Sequence, residues 1–171
     1  LTFTLTLTLT FTPTLTFTMG LPAAGKSTVA QHMFTQSTFI DCDSVKEAHP
    51  AYDPANPAAL HGWSKEVVKE MFNAALDSAA GAWVYDTTGT NAARMTAEMN
   101  AAKQAGFKVE LVFVTVPLHV SIERNLTRDR VVPLAVLLEK AAKVHAVFEA
   151  IEVHADTVTV VPNEVFNPAY A

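Results

Sequence analysis

Strand-like and helix-like segments alternate along this chain of 171 residues, and that alternation predicts an α/β fold of three layers. A mostly parallel, five-stranded sheet would lie between helices on both faces, because strand, crossing helix and parallel strand form the unit that such a pattern encodes. Two further observations agree. The strand candidates are apolar and several end in an acid, as buried parallel strands do where they open onto loops. A glycine-containing stretch joins the first strand to the first helix. Ligands of such sheets sit beyond the carboxyl ends of the strands, so function is sought there.

Thr14 to Met19, rich in Thr, Leu and Phe, reads as the first strand. It continues a period-two pattern in which every even position up to Thr18 is Thr and every odd one is Leu or Phe, except Pro13. Such alternation implies one apolar face, but it sets register poorly, since a slip of two residues changes almost nothing. Pro13 interrupts the ladder, which makes residues 1–13 a low-complexity arm and residues 14–171 a single domain.

Val29, Ala30 and Met33 then recur at helical spacing. Residues 37–42 form a second strand, and Asp43 caps a short helix through Lys46 and Ala48 that stops before Pro50. Three prolines make residues 49–57 a loop. Ser64 is the expected N-cap of an amphipathic helix through Val68, Phe72, Ala75 and Leu76, closed by Gly81. Residues 82–86 are the third strand, and Asn91 starts a helix through Met95, Met99 and Ala102 that stops at Gly106. Residues 108–116 are the most apolar strand and are expected at the sheet's centre. Pro117 opens a helix running into Arg124, Arg128 and Arg130, the arginine-bearing lid. Pro133 suits the first turn of a helix to Ile151, and residues 157–161 are the last strand.

The stretch between first strand and first helix, Gly20-Leu21-Pro22-Ala23-Ala24-Gly25-Lys26-Ser27, fits G-x-x-x-x-G-K-[ST], a loop that wraps nucleotide phosphates. Its glycines permit positive φ and close approach, so successive N–H groups can face phosphate oxygens. Lys26 would reach the β- and γ-phosphates, and the Ser27 hydroxyl would ligate Mg²⁺. The helix beginning here adds its positive dipole end. Strand, loop, helix is the context this mechanism requires, so the fold predicted is the three-layer P-loop NTPase fold, with ATP and Mg²⁺ as cofactors.

Half the residues are apolar, enough for one domain with a sizeable core. A net charge of −5 without a Lys/Arg cluster weighs against a broad nucleic-acid footprint. Cys42 is the only cysteine, which excludes an intrachain disulfide and points to a reducing cytoplasm. No apolar run approaches the length of a membrane span, and no membrane partner is expected.

Phosphoryl transfer needs charge neutralisation, a metal, an oriented nucleophile and exclusion of water. Asp43, just past the second strand, is placed to take a proton from an acceptor hydroxyl; a helix cap is the alternative role. Asp86, ending the third strand, can hold Mg²⁺ or grip the acceptor, or simply end the strand before Thr87-Thr88-Gly89. Arg124, Arg128 and Arg130 are three of the four arginines. Arg124 and Arg128 would share a face if helical, suited either to clamping a γ-phosphoryl group or to a solvated surface paired with Glu123 and Asp129. The histidines show no metal-ligand spacing.

The phosphate loop through Thr28, then Ile40-Asp41-Cys42-Asp43-Ser44-Val45-Lys46-Glu47-Ala48-His49-Pro50, resembles the zeta-toxin-like P-loop kinases. Val84-Tyr85-Asp86-Thr87-Thr88-Gly89-Thr90 and the segment from Arg124 through Arg130-Val131-Val132-Pro133 fit the same pattern. The D-x-D-x-x-K-x-x-H-P stretch is the most specific part. The resemblance implies ATP- and Mg²⁺-dependent phosphorylation of a sugar-nucleotide hydroxyl. Asp43 would be the general base, with Lys46 and His49 lining the acceptor site alongside Asp86, Thr88 and Thr90. Arg124 and Arg130 would clamp the phosphates, Arg128 would touch the nucleotide, and Asn163 would lie by the adenine. Where the toxins carry acid-Gly-Thr-Gly-Arg, this chain has Asp86-Thr87-Thr88-Gly89-Thr90 and lacks that acceptor arginine. No antitoxin partner is indicated.

Three readings follow. The first is a kinase moving a γ-phosphoryl group to a small-molecule hydroxyl. A polynucleotide or DNA-base kinase would need a basic channel, which the acidic balance disfavours. A nucleotide-hydrolysing switch would need no acceptor pocket.

Overall fold

A threonine in a strand must either face water or find a hydrogen-bond partner, and in this protein the partners decide where the first strand sits. The computed structural model describes residues 12–128 and 130–164. β1 (Thr14–Met19) pairs with β3 (Ala82–Asp86) on one side and β4 (Lys108–Thr115) on the other. β2 (Thr38–Asp41) lies outside β3, and β5 (Thr157–Pro162) outside β4. The order is β2-β3-β1-β4-β5, and every pairing is parallel.

The centre therefore belongs to β1; β4, expected there, is interior but one place over. Leu15, Phe17 and Met19 are fully buried, and so are Thr16 and Thr18. The single apolar face implied by the alternation is thus two buried faces. Thr16 Oγ1 donates to Glu110 Oε2 at 3.4 Å and Thr18 Oγ1 to Asp86 Oδ1 at 2.6 Å, so the hydroxyls are satisfied. Of the expected arm, only Thr12 and Pro13 fall within the described residues.

Helices cover both faces: α1 (Lys26–Met33), α2 (Cys42–Glu47), α3 (His61–Ser78), α4 (Ala92–Gln104), α5 (Leu118–Leu126) and α6 (Leu134–Ile151). Val68, Phe72 and Ala75 of α3 and Met95, Met99 and Ala102 of α4 are buried, as their spacing requires. Phe17, Phe72 and Tyr85 pack edge-on and tilted against one another between sheet and α3. Asn91 caps α4 by accepting from the Arg94 N–H at 3.0 Å. No helix among the described residues is long and apolar enough to cross a membrane.

Several boundaries move. α2 is capped by Asp41, whose side chain accepts from the amides of Asp43 and Ser44, because β2 ends one residue before the expected limit. Asp43 is left in the first turn with its carboxylate free to work elsewhere. α3 begins at His61, on a 3₁₀ turn over Pro57–Leu60, so Ser64 is no cap; it is buried, with Oγ donating to the His61 carbonyl at 3.2 Å. Ala79, at φ 45°, ends α3 two residues before Gly81.

The register aligns the strand ends. Thr18 lies beside Asp86, and Asp86 beside Asp41, so two carboxylates and the entry to the phosphate loop share one edge of the sheet.

Candidate functional site

Residues 20–28 leave β1 and turn into α1. Gly20, Ala23 and Gly25 all take positive φ, at 148°, 58° and 82°. A Cβ on Gly20 would lie 2.4 Å from the Val114 carbonyl oxygen, and one on Gly25 would lie 2.4 Å from Asn163 Nδ2. Only glycine fits either place. Ala23 carries a left-handed backbone without that freedom, at a cost of about 1–2 kcal/mol. Leu21 and Ala24 are buried beneath the loop, Pro22 is buried with them, and Thr28 is exposed one turn into α1.

Three tethers hold the loop. Asn163 Nδ2 donates to the Ala24 carbonyl at 2.8 Å, the buried Ser121 Oγ donates to the Pro22 carbonyl at 2.7 Å, and the Gly20 N–H donates to the Thr88 carbonyl at 3.4 Å. Lys26 Nζ donates to the Leu21 carbonyl at 3.0 Å, folding its ammonium over the loop. Burial lowers the Lys26 pKa, the charge of Asp86 opposes that, and the nearby charge of Arg128 adds to it.

Ser27 Oγ donates to Asp86 Oδ2 at 2.6 Å, and the other oxygen of Asp86 holds Thr18. A hydroxyl and a carboxylate side by side at the start of α1 are hard oxygen donors, the set Mg²⁺ prefers when water and phosphate supply the remaining ligands. Among the described residues no group of three or more His, Cys, Asp or Glu could form a metal cage. A phosphate-bound Mg²⁺ needs none.

Asp43 faces the arginine loop. Arg130 Nη1 and Nη2 donate to its Oδ1 and Oδ2 at 2.6 and 2.5 Å, a two-pronged pair, and Lys46 Nζ donates to Oδ1 at 3.3 Å. Burial disfavours the carboxylate, but Arg130 and Lys46 outweigh it and hold the Asp43 pKa below its ordinary value. Lys46 is nearly fully buried. His49 sits two residues beyond α2; its Nδ1 accepts from the Ala51 N–H at 3.1 Å, and its ring meets Trp63 edge-on with centroids 4.4 Å apart. Thr88 and Thr90 lie partly exposed in the loop after β3.

The three arginines do not share a helix. α5 ends at Leu126, with the Thr127 N–H bonded to the Arg124 carbonyl, so Arg128 and Arg130 lie on a loop and the expected Arg124–Arg128 face does not exist. The loop is closed by the buried Asn125, whose amide donates to the Val132 carbonyl at 2.7 Å and accepts from its N–H at 2.9 Å. Arg124 reaches the other way, donating to the Glu164 carbonyl at 3.3 Å beside Asn163. The expected pairing with Asp129 lies outside the described residues. Asn125 and Ser121 are positioning residues that sequence reasoning did not single out, although Asn and Ser inside a short helix next to an arginine-rich stretch are a usable signal.

Residues 15–151 match the family model described as AAA domain. The chain belongs to this family. Among curated proteins, none matches it in sequence. Solved structures of like fold include one of the PezAT chromosomal toxin–antitoxin system of Streptococcus pneumoniae, at 15% identity and a TM-score of 0.67, covering 90% of this chain and 69% of that one. Another is shikimate kinase from Acinetobacter baumannii in complex with shikimate, at 17% identity and TM-score 0.54, covering 93% and 87%. A third is the AvrRxo1-ORF1:-ORF2 structure with ATP, at 20% identity and TM-score 0.63, covering 82% of this chain but only 51% of that one. This AAA-domain chain thus has a P-loop kinase-like fold, a nucleotide-binding architecture shared with small-molecule kinases.

Proposed function

We propose that this protein is an ATP-dependent phosphotransferase that moves the γ-phosphoryl group to a hydroxyl of a small molecule, a nucleotide sugar being one candidate acceptor. One observation carries the reading: at the same sheet edge as the phosphate loop, Asp43 presents a charged carboxylate from the first turn of α2.

In this reading the loop amides and Lys26 hold the triphosphate tail, with Arg128 and Arg124 approaching from the α5 side. Asp86 and Ser27 would hold Mg²⁺, which when bound supplies charge neutralisation at the phosphates. The acceptor oxygen attacks the γ-phosphorus; its bond to that phosphorus forms as the bond to the bridging oxygen of ADP breaks, and the hydroxyl proton passes to Asp43. Lys46 and His49 line the acceptor side, with Thr88 and Thr90 across the loop after β3. Asn163 packs under Gly25, at the nucleotide's side of the loop.

A polynucleotide or DNA-base kinase is a second reading, favoured by Trp63, which is 41% exposed and braced by His49 where a base could stack. Radiolabelled ATP incubated with sugar nucleotides, nucleosides and oligonucleotides separates the readings. The expected result is transfer to a sugar nucleotide that Asp43→Asn abolishes. Labelling of oligonucleotide ends would favour the second reading, and hydrolysis without any labelled acceptor would favour a switch.

A further inference from the structure

Arg130, which the family resemblance assigns to the phosphates together with Arg124, is bound in this structure to Asp43. Both terminal nitrogens of the Arg130 guanidinium engage Asp43. Arg130 lies on a loop rather than a helix, half-buried, two residues before the Asn125–Val132 clasp. The loop is therefore anchored at its ends, and the side chain is long enough to swing within it. Asp43, by contrast, sits in the first turn of a capped helix, and Lys46 Nζ also donates to its Oδ1.

We propose that Arg130 is a shared positioning residue, which latches Asp43 in the nucleotide-free protein and transfers to the triphosphate when it binds, releasing the carboxylate toward the acceptor. This rests on the kinase reading of the same site. A bidentate guanidinium takes one lone pair from each carboxylate oxygen and Lys46 takes another from Oδ1, so an acceptor hydroxyl arriving before nucleotide meets a poor base. Phosphate oxygens compete for the same planar fork because they match its geometry as well as a carboxylate does. The exchange leaves the charge count unchanged, with one ion pair traded for another. It makes base release conditional on nucleotide.

The two contacts compete for one guanidinium, so by reciprocity whatever weakens the Asp43 contact must strengthen nucleotide binding. Isothermal titration of a non-hydrolysable ATP analogue with Mg²⁺ into the wild type, Asp43→Asn, Arg130→Gln and the double variant reads this directly. Asp43→Asn should tighten binding about fivefold or more, the lower range of measured site-to-site couplings. In the Arg130→Gln background the same change should tighten binding distinctly less, leaving only the effect of removing one negative charge near the phosphates. Equal affinity of wild type and Asp43→Asn overturns the latch, and so does an equal gain in both backgrounds. Arg130→Lys, which keeps charge but not the fork, should bind analogue more weakly than wild type and show a reduced Asp43→Asn gain; a full gain with lysine would also overturn it. Should the wild type bind no analogue at all, the kinase reading falls and the latch falls with it, an outcome distinct from binding without coupling.

Discussion

The Asp43–Arg130 pair makes a prediction about pH as well as about ligands. Burial raises the carboxyl's pKa and the two cations lower it further than burial raises it, so the folded value lies below the ordinary 3.8. A depressed carboxylate pKa contributes stability that is complete above the unfolded value and is lost as pH falls through the folded one. The stability gap between wild type and Arg130→Gln, measured by urea unfolding, should therefore shrink from about pH 6 to about pH 3. A gap that stays constant would show that the arginine contributes by packing alone. At Gly25 the argument is steric. A methyl at φ 82°, 2.4 Å from Asn163 Nδ2, must push the amide that holds the Ala24 carbonyl. Gly25→Ala should weaken binding of an ATP analogue more than tenfold, while the far-UV spectrum stays native; unchanged affinity would mean that the loop can reshape. Cys42 offers a third check. Burial raises its thiol pKa, and Lys46 only partly offsets this, so alkylation by iodoacetamide should reach half its limiting rate above pH 9.0. Rapid alkylation at neutral pH would contradict the burial.

Elements show the same interplay between local rule and long-range contact. α3 ends on Ala79 in the left-handed region, with its N–H bonded to the Leu76 carbonyl. Ala79→Gly relieves that strain at the cost of a looser unfolded chain, and a net gain of about 0.5–1 kcal/mol is expected in thermal unfolding. A loss would mean that the alanine methyl packs where its exposure says it does not. Among the described residues, the five strands and six α-helices were legible in the sequence, because the 3.6 and 2.0 periodicities are punctuated by glycine, proline and acids at nearly every junction. What was not legible came from contacts that periodicity does not contain. Ser64 looks like a cap, but Pro57 starts a 3₁₀ turn that runs directly into α3. Asp41 and Asp43 are equally good caps by type, and the one residue by which β2 falls short decides between them. The arginine segment reads as helix because its propensity is helical; it is a loop because Asn125 closes on Val132 seven residues away. Asn125→Ala should leave α5 and α6 intact yet free Arg128 and Arg130, so a weaker affinity for ATP analogue with little change in melting temperature is the expected pattern.

At the scale of the whole molecule, the phosphate loop is tied to distant parts of the chain rather than hung from its two flanking elements. Asn163 follows β5, Ser121 belongs to α5 and Thr88 follows β3, and each bonds a backbone group of residues 20–24. The candidate site was legible to the extent that its chemistry is local: the phosphate loop and Asp43 stand in short motifs. Asn163 was reached only through the family resemblance, since its partner Ala24 is 139 residues away in sequence. A loop bonded to α5 and to the segments that follow two strands of the sheet cannot be ordered by ligand without stabilising the domain. Any ligand that binds only the folded state adds RT ln(1 + [L]/Kd), about 2.7 kcal/mol at a hundredfold excess over Kd. For a domain of this size that corresponds to a rise in Tm of roughly 5–10 °C. A non-hydrolysable ATP analogue with Mg²⁺ should produce it in the wild type. It should also do so in Asp43→Asn, where the analogue-induced rise should be the larger at equal ligand because Arg130 is already released. Lys26→Ala should show little rise, having lost the ammonium that meets the β- and γ-phosphates. If Lys26→Ala were stabilised as fully as the wild type, the analogue would be binding away from residues 20–28, and the placement of the nucleotide would have to be abandoned.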